Sequence, residues 1–586
     1  MCVALPNLLL MSDRDPTTHV EALAPWAAGL LLAAPVLLAY YPPMTDLAFH
    51  EAAIGLLRHF GDPAMVPPGL YVRNLGEPNQ LFHMLGWALS YAMSTRWAVK
   101  LLVAAAVAAV PVAAGRFARH VGASPLSALL VAPMALGWLF SWGLITNLVG
   151  LAVLLAVLPE LDLLADRPSA RTALRSLGAV VLLYFAHMAM MVVYAGIALG
   201  FAILHPWSWK RTAWRVSPLL AAGAITLGQL QWQKPFMSPA VRALPKVWHG
   251  PLVKLGWISS IVLPATDKVV RLSMLALCAL VLAAFFFHRA QERRLARPTS
   301  PAAGSRGERA RAWALAHRWE IVAAASFAAY MAFPMSLNGA TLVYQRWLPP
   351  AFAIIAVVAA PRRLWAQQTR VAAFGAAALP VATLFVAGAS FADSDRQYRE
   401  LDAIIGRIEP GSAVAEINLG PGDPTRTYSL SPADGRIMAT RGGRLVYAFT
   451  DSSVSPVVLR RRFQWNESLV RVGYDAWAFC PAHDLKRFRY ALLRTHDPVL
   501  RWLASYSLAG EARLIAESGE WVLFESKLPL VAVTSPDAPL PVPRPESMRD
   551  RIRKLVDAAR SAPDAPKVAV PDEKALEGDG ARAPAP

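Results

Sequence analysis

"YYPPMTDLAFHEAAIGLLRHFGDP", residues 40–63, follows directly on an apolar run at about 22–41 that is long enough to cross a membrane. Asp46, His50 and Glu51 fall within six residues, just where the chain leaves that run. An Asp at the start of a helix suits the N-cap position, and "PP" before it sets the entry. At 100° per residue, Phe49, Ala53, Leu56 and Phe60 share one face, which is expected to lie on the membrane surface. Asp46 and His50 sit together on the edge of that face, and Glu51 and Arg58 lie opposite as a solvated charge pair. Read locally, Asp46 is either a helix cap beside a boundary histidine or the acid of an active site. Ionisable groups at the mouth of a membrane bundle are commonly functional, which favours the second reading.

The rest of the chain says which kind of protein this is. Of its 586 residues, 55% are hydrophobic and only 17% charged, too few for a soluble surface of this size. The net charge of +18 is explained by basic loops facing anionic lipid, so no nucleic-acid partner is expected. Three cysteines, Cys2, Cys278 and Cys480, are scattered too widely for a disulfide framework or a zinc site. The first apolar run lacks a basic leader and reads as an uncleaved anchor.

Runs of roughly 20 apolar residues give eleven expected spans. They fall at about 22–41, 98–114, 125–141, 148–164, 175–187, 188–206, 214–230, 268–288, 319–335, 347–360 and 371–391. With the N-terminus inside, every other loop is rich in arginine, and 289–318 alone carries eight. The segment 80–93 then becomes a helix on the outer face. The expected organisation is a cytoplasmic segment 1–21 and a transmembrane domain 22–391 with a large outer loop 42–97. An extracytoplasmic α/β domain over 392–535 follows, then a Pro/Ala-rich tail 536–586, disordered apart from a short helix near 546–560. In 392–535, "RQYRELDAIIGRI" reads as helix, "SAVAEINL" and "RLVYAF" as strands, and "EARLIAESGEWVLFES" as a hairpin.

This layout, a first span, an outer loop opening on "TDLAFHE", many further spans and a soluble outer domain, resembles membrane glycosyltransferases of the GT-C type. Protein O-mannosyltransferases and aminoarabinose transferases, which use polyprenyl-phosphate sugars, belong to that superfamily. The resemblance implies an all-α polytopic bundle with a C-terminal soluble α/β domain, in the cytoplasmic (inner) membrane. It implies Asp46 as the catalytic base, with His50 orienting it and Glu51 secondary. "NGATLVYQRWLPP" (338–350) resembles a family loop that places an Arg near the lipid phosphate, which assigns Arg346, with Tyr344 beside it, to the substrate. "SWGLITNLVGL" (141–151) offers Asn147 where several members carry a second carboxylate, so no metal and no cofactor beyond the lipid-linked sugar are expected. His187, in "YFAHMAMM", is either a packing residue or a substrate contact. Lys234, Arg242 and Lys246 read as solvated loop charges, and Glu160 and Asp162 as partners of Arg167.

The implied activity is transfer of a sugar from a polyprenyl-phosphate carrier to an extracytoplasmic acceptor with inversion. A lipid or glycan transporter is the second reading, although internal repeats and midplane charges are missing. A non-catalytic membrane scaffold is the third.

Overall fold

The computed structural model describes residues 16–233, 246–264, 267–295, 305–336, 342–362, 369–419, 433–460, 476–531 and 546–561. Lys234 and Arg242 lie outside them. The described residues divide into two compact units. One draws on 1–37, 103–230 and 245–388, the other on 38–102, 231–244 and 389–586.

The first unit is helical. Among the described residues, five helices are long and apolar enough to cross a membrane, at His19–Leu38, Thr95–His120, Ile145–Asp166, Lys268–Leu295 and Arg370–Ile405. Shorter apolar helices accompany them, including Met188–Leu204 and Pro251–Val262, the latter inside a stretch read as a long loop. Each expected span but one coincides with a continuous helix. The exception is 125–141, which breaks into short turns at Pro133 and Gly137. Gly137 backs onto the Ile261 carbonyl, where a side chain would crowd it. The expected pair at 175–206 is two helices, Ala170–Ala186 and Met188–Leu204, broken at His187.

Ion pairs fix one end of this unit. Asp162 binds Arg318 at 2.7 Å and His120 at 2.8 Å, and Asp166 binds Arg318 at 3.1 Å. Glu160 faces Arg116 at 3.6 Å and Arg175 at 3.7 Å. The expected partner, Arg167, instead caps that helix, its backbone N–H donating to the Leu163 carbonyl, and the acids pair with arginines of other helices. Residues from several arginine-rich loops, expected on one side, therefore share one end of the unit.

The second unit is built on a sheet. Its strands are β1 (Tyr71–Arg73), β2 (Ala413–Asn418), β3 (Arg444–Leu445), β4 (Val457–Leu459), β5 (Tyr490–Arg494), β6 (Ala512–Ser518) and β7 (Trp521–Ser526). Five of them form one sheet in the order β3–β2–β5–β7–β6, with β2 parallel to β3 and β5 and the β6–β7 hairpin antiparallel. Gly519 turns that hairpin at φ +55, a conformation glycine adopts without strain. The central strand β5 is buried on both faces, so its apolar run carries no alternation for a sequence reading to find.

Two expectations about this unit change. The domain does not end at 535: helix Met548–Ser561 sets Met548, Ile552 and Val556, one face at i, i+4 and i+8, into the core beneath the sheet. Nor is the loop 42–97 an appendage of the bundle. Its β1 pairs antiparallel with β4, and Asn74 and Gln80 donate to the carbonyls of Ser453 and Val454. Helix Leu47–Arg58, expected on the membrane surface, is buried from Leu47 to Leu57. Reciprocal glycines allow this. A side chain at Gly435 would come within 2.5 Å of the Ala48 backbone, and one at Gly55 within 2.6 Å of Ala439. Helices Leu47–Arg58 and Gly435–Arg441 thus meet backbone to backbone.

Candidate active site

The expected catalytic residues all lie in the second unit. Asp46 holds the N-cap position of helix Leu47–Arg58, yet its side chain takes no hydrogen bond from the helix end. It is partly buried, and burial alone pushes its carboxyl up to about 7. A carboxylate that caps nothing has not been spent on the helix.

Glu51, five residues on, is the opposite case. It is fully buried and accepts from Tyr41 Oη at 3.0 Å, Thr95 Oγ1 at 2.7 Å and Arg436 at 2.5 Å. Arg436 also binds Asp402 at 3.1 Å, and Asp402 accepts from Tyr40 Oη at 2.5 Å. The expected solvated pair with Arg58 is thus replaced by a buried network, because the helix face that carries Glu51 packs inward. Glu51 is an architectural residue.

His50 and His83 face each other, Nδ1 to Nε2, at 2.9 Å. Both are buried, and burial pushes His83 down to about 4, so His83 is uncharged at neutral pH. The ring of His50 also packs edge-on against Phe82 and Phe449. Its described contacts run to this aromatic cluster. His83 was not anticipated, although "QLFHML" places it on the buried face of helix Leu81–Leu89.

The expected substrate residues lie in the first unit. Asn147, near the start of helix Ile145–Asp166, is 1% exposed, and neither atom of its amide has a partner. One turn on, Gly150 lets His187 approach: a side chain at Gly150 would meet the His187 Cβ at 2.5 Å. His187 Nδ1 accepts from the Ala189 N–H at 3.2 Å and caps helix Met188–Leu204. The charge of Arg346 reaches His187. Arg346 has a buried Nε without a partner, and burial pushes its guanidinium down to about 10. Its turn, Tyr344–Trp347, leads into helix Leu348–Ala359, which packs on helix Ile145–Asp166. His187 thus lies near both Gly150, one turn from Asn147, and the charge of Arg346. Tyr344 differs from Arg346: its hydroxyl is bonded to His249 at 3.0 Å and its ring packs on Tyr330. Gln345, fully buried with an unpartnered Oε1, was missed beside the more conspicuous Arg346. Among the described residues, no three His, Cys, Asp or Glu side chains gather in a way that can hold a metal ion.

No family model matches the chain, and no curated relative matches it in sequence. Among solved structures, the crystal structure of ArnT from Cupriavidus metallidurans in the apo state superposes with a TM-score of 0.51 at 12% identity. The match covers 87% of this chain and 98% of ArnT. The fold is GT-C-like. At this identity the likeness is one of fold alone, and the long apolar helices mark a multi-pass membrane protein. ArnT is an aminoarabinose transferase.

Proposed function

We propose that this chain is a glycosyltransferase of the inner membrane, with its N-terminus in the cytoplasm and residues 392–586 outside. It moves a sugar from a polyprenyl-phosphate carrier to an extracytoplasmic acceptor. The acceptor oxygen attacks the anomeric carbon while the bond to phosphate breaks, its electron pair leaving on the lipid phosphate. The acceptor's proton passes to the Asp46 carboxylate. One displacement gives one inversion. Polyprenyl phosphate and the inverted glycoside are the products.

The observation that carries this reading is the uncommitted Asp46 carboxyl beside a saturated Glu51. A base works best when its pKa lies near the operating pH, and Asp46 at about 7 meets that condition. Arg346, with a free Nε, suits the leaving phosphate, whose charge grows as the bond breaks. Asn147 and His187 complete the donor contacts. His50 serves as a positioning residue through its helix, and Glu51 holds that helix in place.

The test is release of labelled polyprenyl phosphate by the purified protein in lipid nanodiscs. Arg346→Lys keeps the charge but loses the fork, so its kcat/KM should fall about 10–100-fold, equivalent to roughly 1.5–3 kcal/mol. Full activity of Arg346→Lys at every donor concentration would remove Arg346 from the phosphate.

A further inference from the structure

Where helix Thr95–His120 begins, the second unit gathers three cations. Arg96 stands just inside that helix, and Lys100 lies one turn further on the same face. Arg399 comes from helix Arg370–Ile405. The guanidinium of Arg96 lies over the Tyr40 ring, 3.9 Å from its centroid, and that of Arg399 over the same ring at 4.4 Å. Lys100 is 3% exposed, its Nζ lies over the Trp97 ring at 4.0 Å, and the charges of both arginines reach it. Like charges held this close repel one another unless an anion sits among them.

The acids beside them are largely committed. Asp402 accepts from Tyr40 Oη at 2.5 Å and from Arg436 at 3.1 Å, and it stands 3.8 Å from Arg96, beyond hydrogen-bond reach. Asp395 accepts the Tyr40 N–H at 2.5 Å and stands 3.7 Å from Arg399. The Arg96 Nη1 is buried without a hydrogen bond. Among the described residues, the Lys100 ammonium gives one hydrogen bond, to the Ala39 carbonyl, and two of its three donors are unused.

The apolar neighbours place this cluster at a membrane surface. Leu38, Trp97 and Leu101 are exposed, Leu38 to 83%. Arg96 and Lys100 belong to the first turns of a helix long and apolar enough to cross a membrane. In a bilayer those turns lie at the headgroup level, where Trp97 suits the interface and acyl chains cover Leu38 and Leu101. The groups at that level are lipid phosphates, whose oxygens accept charge-assisted hydrogen bonds from Arg and Lys. The helix N-terminus adds its own partial positive charge. A zwitterionic headgroup would bring a further cation among three, so an anionic one fits best.

We infer that Arg96, Lys100 and Arg399 hold the headgroup phosphate of an anionic phospholipid from the surrounding bilayer. Its acyl chains run along Leu38 and Leu101, and its phosphate ties the end of the first apolar helix to the other two. The inference rests on the membrane reading and is independent of the transferase chemistry, in which the donor phosphate belongs to Arg346.

The full chain, purified in detergent and stripped of lipid, is titrated with phosphatidylglycerol or phosphatidylcholine. Native mass spectrometry counts the bound lipid, and the unfolding midpoint is read alongside. One phosphatidylglycerol should be held at least about tenfold more tightly than phosphatidylcholine, and it should raise the midpoint. Arg399→Gln, at an exposed position, should weaken that binding about fivefold, and Arg96→Gln added to it about fivefold again. If Arg96→Gln melts lower without lipid, Arg399→Gln alone carries the test. Equal retention of the two lipids, or phosphatidylglycerol binding unchanged in Arg399→Gln, would overturn the inference. So would displacement of phosphatidylglycerol by inorganic phosphate, which would mark a site for the free ion. Its displacement by an equimolar amount of polyprenyl phosphate would mark a donor site instead, and would overturn it equally.

Discussion

Two sets of buried polar groups, one in each unit, are built on opposite principles. Around Glu51 in the second unit every charge is answered: Tyr41, Thr95 and Arg436 surround the carboxylate, and Asp402 and Tyr40 complete the arginine's shell. In the first unit the Asn147 amide, the Gln345 carbonyl and the Arg346 Nε are each buried and unanswered. A saturated network holds elements together, here the helix after the first apolar run and the C-terminal sheet unit. An unsaturated one has capacity left for a ligand. Asp46 belongs with the second kind although it sits one turn from Glu51, and the contrast within that one helix separates architecture from chemistry.

The contrast breaks most sharply at Glu51. Glu51→Ala leaves Arg436 buried and half-paired and should cost about 3–5 kcal/mol of stability, read as a lowered unfolding midpoint. Arg436→Met added to it should return part of that loss, because the stranded charge is then gone. An unchanged midpoint in Glu51→Ala would place Glu51 among the uncommitted groups. At the far end of the same unit, Ile552→Ala removes a core contact of the C-terminal helix. It should cost about 2–4 kcal/mol in a melt of the full chain. A loss below about 0.5 kcal/mol would detach that helix from the domain.

The smallest effect is in the histidine pair. His83 has a folded pKa of about 4 against an ordinary 6.5, so the folded state binds fewer protons than the unfolded chain between those values. Its contribution is present above pH 6.5 and is lost as pH falls toward 4, by about 1–3 kcal/mol. His83→Gln should flatten the stability curve across that window. Asp46 works with the opposite sign. Its raised pKa makes the folded state bind its proton more tightly, so Asp46 favours folding below about pH 4, and that advantage is lost as pH rises through 7.

Much of the fold is legible in the sequence because membrane spans are written in composition. Apolar runs locate the helices, "HMAMM" locates the break at His187, and "ESGEW" marks the hairpin turn at Gly519. What escaped is long-range. The partner of Glu51 is 385 positions away, so its helix reads as amphipathic and exposed although both faces are covered. Strand β5, buried on both faces, offers no period, and the apolar face of helix Met548–Ser561 is hidden in a Pro/Ala-rich tail. At the candidate site, Asp46, Asn147, His187 and Arg346 can be picked out by residue type and position. Only the structure distinguishes Asp46, which caps nothing, from Glu51, which is fully bonded.

The central claim is that Asp46 takes the acceptor's proton. Asp46→Asn keeps the shape of the side chain and the N-cap preference, so it should fold at least as well as the wild type. The decisive measurement is the pH dependence of sugar transfer from a labelled polyprenyl-phosphate donor, for wild type and Asp46→Asn together. The wild-type rate should climb with pH through about 7 as the carboxyl ionises, and Asp46→Asn should be slower by 10²–10⁴-fold, roughly 3–5 kcal/mol in the barrier, with no such climb. A folded Asp46→Asn protein that transfers at the wild-type rate with the same pH profile would contradict the account.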